Sequence, residues 1–85
     1  MKTVLITGCS TGFGLETARY FLQRDWRVIA TMRNPDNCTL EPADRLTVLA
    51  LDVTDAASIA AAMEAAGPID VLVNNAGIGW LNAAE

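Results

Sequence analysis

At 85 residues, 52% hydrophobic and 19% charged, the chain has room for one small domain of globular composition. Its net charge of −4 argues against a basic face for nucleic acid. The two cysteines, Cys9 and Cys38, have neither metal-ligand nor Cys-x-x-Cys spacing, and read as reduced thiols of a soluble, cytoplasmic protein rather than a disulfide framework. No run approaches the roughly 18 consecutive apolar residues of a membrane span, and no leader-like segment opens the chain.

The first element predicted is a strand, Val4, Leu5 and Ile6, that stops at a turn carrying Gly8, Gly12 and Gly14. A helix from about Gly14 to Arg24 follows, with Leu15, Ala18, Phe21 and Leu22 on its apolar face and Glu16, Arg19, Gln23 and Arg24 on its wet side. Strand, glycine loop and helix start together expose the unpaired N–H groups of a first helical turn, which favour an anion such as a pyrophosphate. By itself the loop could merely turn the chain. Its spacing, Gly-x-x-x-Gly-x-Gly, differs from the Gly-x-Gly-x-x-Gly fingerprint, and no Gly-Lys-[Ser/Thr] makes it a P-loop. Tyr20 and Arg24 imitate a Tyr-x-x-x-Lys pair, but the second residue is Arg and the helix is the wrong one, so Tyr20 is expected to be a partly buried packing residue.

Trp26 should anchor the corner into a second strand, Val28 to Met32. Periodicity is then lost from Arg33 to Arg45, where Asn34-Pro35-Asp36-Asn37 is a turn and one helical turn is expected near Glu41 to Asp44. A third strand, Leu46 to Leu51, is apolar enough to be covered on both faces. Thr54 is expected to cap the next helix, with Asp55 in its first turn, an apolar stripe of Ile59, Ala62, Met63 and Ala66, and an end at Gly67-Pro68. A fourth strand, Asp70 to Asn74, leads into Asn75-Ala76-Gly77.

Strands alternating with helices predict an α/β fold, the N-terminal part of a Rossmann-type doubly wound parallel sheet in strand order 3-2-1-4. Ligands of such sheets bind beyond the carboxyl ends of the strands at the switch point. The loop at Gly8 to Gly14, Arg33, Asp52 and the turn from Asn74 to Gly77 all fall at that end.

Three segments together resemble the short-chain dehydrogenase/reductase family: Thr7-Gly8-Cys9-Ser10-Thr11-Gly12-Phe13-Gly14, Asp52-Val53, and Asn74-Asn75-Ala76-Gly77. The combination of Thr-Gly-Cys-Ser with Ala-Thr-Met-Arg is similar to the branch holding hydroxysteroid and retinol-type dehydrogenases. The resemblance spans all 85 residues but only about the first third of a usual family chain, so residues 1–85 are expected to be a partial NAD(P)-binding domain. It implies that Gly8, Gly12, Gly14 and the Phe13 backbone hold a pyrophosphate and that Ser10 and Thr11 reach the adenosine ribose and its substituent. It further implies that Asp52 and the Val53 backbone take the adenine, and that Asn75, Ala76 and Gly77 line the ribose and nicotinamide side. Asn74 would mainly tie strands together.

At the end of the second strand an acid would take the ribose hydroxyls of NAD, whereas an arginine accommodates the 2′-phosphate of NADP. The strand ends Ala30-Thr31-Met32-Arg33, so NADP is expected over NAD. The family's proton-transfer residues, a serine, a Tyr-x-x-x-Lys pair and a supporting asparagine, would all lie beyond Glu85, leaving no catalytic residue and no metal site here. The expected function is the cofactor-binding portion of an NADP-dependent oxidoreductase acting on an alcohol or carbonyl, with turnover absent from this segment alone. The alternative is a non-catalytic dinucleotide-binding module, or an assembly unit that pairs through the apolar edge Val71-Leu72-Val73, which would also leave room for a homo-oligomer.

Overall fold

The computed structural model describes residues 1–75. Strands β1 (Thr3–Ile6), β2 (Arg27–Met32), β3 (Leu46–Ala50) and β4 (Val71–Val73) form one sheet in the order β3-β2-β1-β4. Every pairing is parallel: Ile6 lies beside Ala30 and Val73, and Met32 beside Ala50. The predicted strand order is therefore the observed one, with β1 and β2 inside and β3 and β4 at the edges of the described sheet. That placement corrects one expectation. Leu46 and Val48 of β3 pack against one layer and Leu49 against the other, but Leu46 to Leu49 are only half-buried and Ala50 is exposed, because both covering layers thin out at the edge of the sheet.

Side chains alternate across a strand, so β1 and β2 divide their apolar residues between two layers. Val4, Ile6, Val28, Ala30 and Met32 form one layer with Ala18 of α1 (Gly12–Gln23). Leu5 and Ile29 form the other with Ala66 of α2 (Ala56–Ala66). The first layer is the better covered: Phe21, Leu22, Trp26, Cys38 and Leu40 seal its margin. On the second, α2 contributes mostly alanines, and only Ala62 and Ala66 of its predicted stripe are buried. Ile59 and Met63 remain 37% and 38% exposed beside a hollow of about 200 Å³ that Leu5, Leu51 and Leu72 also line. A thin helix packs closely but covers little sheet.

Corners are set by specific bonds. Trp26 packs edge-on against Phe21 with ring centroids 4.9 Å apart, as expected of a helix-to-strand anchor. Tyr20, expected to be partly buried, is half exposed and carries the Arg24 guanidinium 3.9 Å over its ring. The chain turns at Asp25, whose φ is 62°, and Arg45 reaches back to donate from Nη2 to the Leu22 carbonyl at 2.7 Å. A carbonyl of α1's last turn thus gains a charged donor from the far end of the crossover.

The crossover holds one 3-10 turn, at Pro35–Asn37 rather than near Glu41 to Asp44. Asn34 decides this by accepting from the Asp36 amide at 3.0 Å, with proline pre-set for the first helical position. The cap of α2 also differs from expectation. Asp55, not Thr54, accepts from the amides of Ala57 and Ser58, while the Thr54 hydroxyl is turned toward Asp52. As predicted, α2 ends at Gly67, whose amide donates to the Met63 carbonyl. No helix among the described residues is long and apolar enough to cross a membrane.

Removal of the α2 cap should be measurable. In the full-length polypeptide, Asp55→Ala is expected to cost about 1 kcal/mol, read as a lower urea midpoint, and Thr54→Ala should leave α2 itself intact. An Asp55→Ala midpoint equal to that of the unmodified protein would count against the cap.

Candidate functional site

The carboxyl ends of all four strands open on the same side of the sheet, which follows from their being parallel. Where β1 stops, the Thr7 amide still donates to Val73 of β4 at 3.0 Å, and its hydroxyl donates to Asn74 Oδ1 at 3.2 Å. Asn74 does tie strands together. Gly8 then turns the chain with a φ of 68°, Cys9 dips into the core, and the chain rises again through Ser10 and Thr11 to enter α1 at Gly12 with a φ of 65°. Positive φ at these two positions is a conformation that a side chain would strain.

Gly14 is required for a different reason. A Cβ there would stand 2.1 Å from the Gly8 carbonyl oxygen and 2.7 Å from Asn75 Nδ2. Helix α1 therefore begins in direct contact with the loop that precedes it, and Asn75 closes the arrangement by donating to the same Gly8 carbonyl at 3.3 Å. Thr11 sits at the N-cap in extended conformation, yet its side chain makes no cap bond, and no acid occupies the first turn. The electropositive end of α1 is left with amide donors that neither its cap nor a first-turn carboxylate satisfies.

Across from the loop, Asp52 leaves the end of β3 under close control. Its Oδ1 accepts from the Thr54 amide at 2.9 Å and the Thr54 hydroxyl at 2.6 Å, and its own amide donates to Ser58 Oγ at 2.9 Å. Its Oδ2 lies 3.8 Å from Arg33 Nη2. The Thr54 hydrogen bonds, with a smaller contribution from Arg33, hold the carboxyl below the usual aspartate range. Cys9 is the opposite case: burial pushes its thiol up to about 11, so it is a protonated core residue and no nucleophile.

Between loop, Arg33 and Asp52 lies a hollow of about 530 Å³, a volume ordinary for a small-molecule site. Of the residues singled out by sequence, Gly8, Ser10, Thr11, Arg33, Asp52, Val53 and Asn75 line it. Gly12, Phe13 and Gly14 do not. Gly14 is buried beneath the loop, and the Phe13 side chain is 81% exposed. Ala76 and Gly77 lie outside the described residues. Asn34 and Asn37 also line the hollow and escaped the sequence reading, because a proline turn says nothing about which way its asparagines face. Thr54, expected only as a helix cap, and Ser58 escaped it too: Thr54 bonds to Asp52 two residues before it in place of capping, and Ser58 meets the Asp52 amide only once α2 has formed.

Chemically, the hollow joins the glycine loop up to the N-cap of α1, one guanidinium and one pinned carboxylate acceptor. It suits a ligand with anionic groups at two places and an N–H donor between or beside them. A sequence model described as short chain dehydrogenase matches residues 2–85. The chain belongs to the short-chain dehydrogenase family. This family member is 42% identical over 96 residues to retinol dehydrogenase 8 of Bos taurus, covering 99% of this chain and 31% of that protein. The retinol-type branch expected from Thr-Gly-Cys-Ser and Ala-Thr-Met-Arg is thus represented among its relatives. It is similar in structure to the closed form of serine dehydrogenase complexed with NADP+, with a TM-score of 0.78 and 36% identity over 86% of this chain and 32% of that one. It is similar also to 3-ketoacyl-(acyl-carrier-protein) reductase from Brucella melitensis complexed with NADH, with a TM-score of 0.77 and 31% identity over 84% of this chain and 32% of that one. This short-chain dehydrogenase sequence spans about a third of the length of these relatives.

Two outcomes are expected of the full-length polypeptide. Gly14→Ala should destabilise it by on the order of 3 kcal/mol, the upper range of overpacking costs, because backbone rather than a flexible side chain stands in the way; a thermal midpoint unchanged from the parent would contradict the contact. Asp52, whose folded pKa is depressed, stabilises the fold fully above the pKa of an unfolded aspartate and loses that contribution as pH falls through the folded value. Stability profiles from about pH 6 down to about pH 3, spanning the carboxylate range, should therefore be flatter for Asp52→Asn than for the unmodified protein. Superimposable profiles would show the carboxylate to be unlinked to folding.

Proposed function

We propose that this chain is the dinucleotide-holding portion of an NADP-dependent oxidoreductase that moves a hydride between nicotinamide and an alcohol or carbonyl substrate. The observation that carries the proposal is the composition of the hollow: the glycine loop up to Thr11, the N-cap of α1, shares it with Arg33 just past β2, where an NAD enzyme would present an acid.

The residue roles follow from charge and reach. Gly8, Gly12 and Gly14 with the Phe13 backbone hold the pyrophosphate on the first-turn amides of α1. Ser10 and Thr11 reach the adenosine ribose and its substituent. Arg33 takes the 2′-phosphate, for which its planar fork is suited, and a dianionic phosphate would draw it from the single carboxylate 3.8 Å away. Asp52, already oriented by Thr54, accepts from the adenine amino group beside the Val53 amide. Asn75, Ala76 and Gly77 form the ribose and nicotinamide side, Asn75 having used one Nδ2 hydrogen on Gly8 and keeping its carbonyl oxygen for other partners. When bound, the nicotinamide supplies or accepts the hydride.

None of the residues named here would move the substrate's proton. We assign residues 1–85 to a partial domain whose general acid is elsewhere in a longer chain, a loss that alone lowers rates by about 10² to 10⁴. We place the protein in the cytoplasm, where free thiols such as Cys9 and Cys38 persist. A second reading, an assembly unit pairing through the β4 edge, is favoured by one observation: Val71 and Leu72 are 37% and 51% exposed on that edge strand.

Calorimetric titration of the full-length polypeptide should show tighter binding of NADP than of NAD, and Arg33→Ala should weaken NADP about 10- to 100-fold, the worth of one charged hydrogen-bonded contact, while sparing NAD. Equal affinities in the unmodified protein would remove the assignment to NADP. Sedimentation separates the second reading, which requires dimerisation that strengthens with concentration and is abolished by Leu72→Lys.

A further inference from the structure

One fully buried polar side chain next to the site has no role in the reading above. Thr31 is 0% exposed at the carboxyl end of β2, one residue past the last β1·β2 partner pair, Ile6 and Ala30. Strand alternation puts it in the layer of Leu5 and Ile29, where a valine would pack as well and a hydroxyl is costly unless it is bonded. It is bonded. Thr31 Oγ1 donates to the Ile6 carbonyl at 2.8 Å, and the Thr31 carbonyl accepts from the Cys9 amide at 3.0 Å. Cys9 Sγ donates to the same Ile6 carbonyl at 3.3 Å.

These three bonds close a ring through the last residue of β1, the tip of β2 and the first loop residue past the Gly8 bend. Only Thr7 and Gly8 lie between the two clamped points. Thr7 is itself held to β4 through the Val73 carbonyl and Asn74. Ser10 and Thr11, which line the hollow, leave directly from Cys9 and inherit its position. The ladder between β1 and β2 is in effect extended into the glycine loop by the Thr31 carbonyl, and the Thr31 hydroxyl adds a further bond to the Ile6 carbonyl where the ladder ends.

We propose that Thr31 is a positioning residue for dinucleotide binding: its hydroxyl fixes the end of β1 against β2 and so sets the path of the glycine loop. It touches no ligand itself. The proposal rests on the reading that this loop holds the pyrophosphate, a group common to NADP and NAD. Thr31 should therefore govern affinity for both, whereas Arg33 governs the difference between them.

The test uses the full-length polypeptide, titrated with NADP and with NAD. Thr31→Val keeps the shape and removes the hydroxyl, leaving the Ile6 carbonyl with its ladder bond to β2 and the weak Cys9 thiol donor. It is expected to weaken both dinucleotides by the same factor, about tenfold, as the loss of one buried hydrogen bond would. Thr31→Ser, which restores the donor, should return both to within about twofold of the parent on the same scale. Unchanged binding by Thr31→Val would overturn the proposal, as would a serine variant no better than valine, which would assign the effect to the methyl group. A shift in the ratio of the two affinities would also overturn it. If Thr31→Val does not fold, hydrogen exchange at the Cys9 amide of the parent decides: protection equal to that of the β2 core amides is expected, and exchange at the rate of an exposed loop would refute the clamp. If the parent binds neither dinucleotide while its Cys9 amide is protected, the fault lies with the cofactor reading, and the proposal falls with it.

Discussion

The contact between Gly14 and the Gly8 carbonyl governs this structure. A helix that begins so close to the strand before it can do so only if the facing residue lacks a side chain. With that contact made, the start of α1 stands over the carboxyl end of β1, and its unsatisfied amides face the space above the sheet. Asn75 reaches the same carbonyl from the end of β4, so that one oxygen gathers the loop, the helix and a third segment. The electropositive character of this helix start is a consequence of this packing and of its unmade cap bond rather than of any single charged residue.

Parallel pairing does the rest. Because all strands run the same way, the segments after β1, β2, β3 and β4 must emerge together, and residues up to 67 positions apart in sequence come within hydrogen-bonding distance. In a chain of net charge −4, one guanidinium is brought to the rim of the hollow, opposite a carboxylate whose direction is set by Thr54. Opposed charges on an exposed rim attract only weakly and cost little to separate, so each remains available to a ligand group of its own.

The two faces of the sheet differ in a way that bears on function. The α1 side is sealed by aromatic and aliphatic side chains from the helix, the corner and the crossover, and this rigid layer backs the glycine loop. On the α2 side, alanines leave Ile59, Met63 and Leu72 partly open around a small apolar hollow. The glycine-loop end of the sheet is thus built on the better-packed half of the molecule.

Much of this was legible from the amino acids. Strand order, the glycine loop, the end of α2 at Gly67 and the gathering of Arg33, Asp52 and Asn75 at one end followed from apolar periodicity and parallel topology, because both are encoded locally and repeated along the chain. What was misread depended on choice among local competitors. Thr54 and Asp55 are both good caps, and only the position of Asp52 draws the threonine away. The helical turn could form at either end of the crossover, and Asn34 settled it by bonding to Asp36. Tyr20 became exposed because Phe21 and Trp26 had already filled the corner. Alone, then, the sequence determined the order of elements and the types of residue at their ends. Tertiary structure alone decided that Thr31 would clamp Ile6 to Cys9, that Gly14 would meet Gly8, and that Asn37 would face the hollow. Such contacts join residues whose separation in the chain carries no period, and they exist only once the sheet has brought them together.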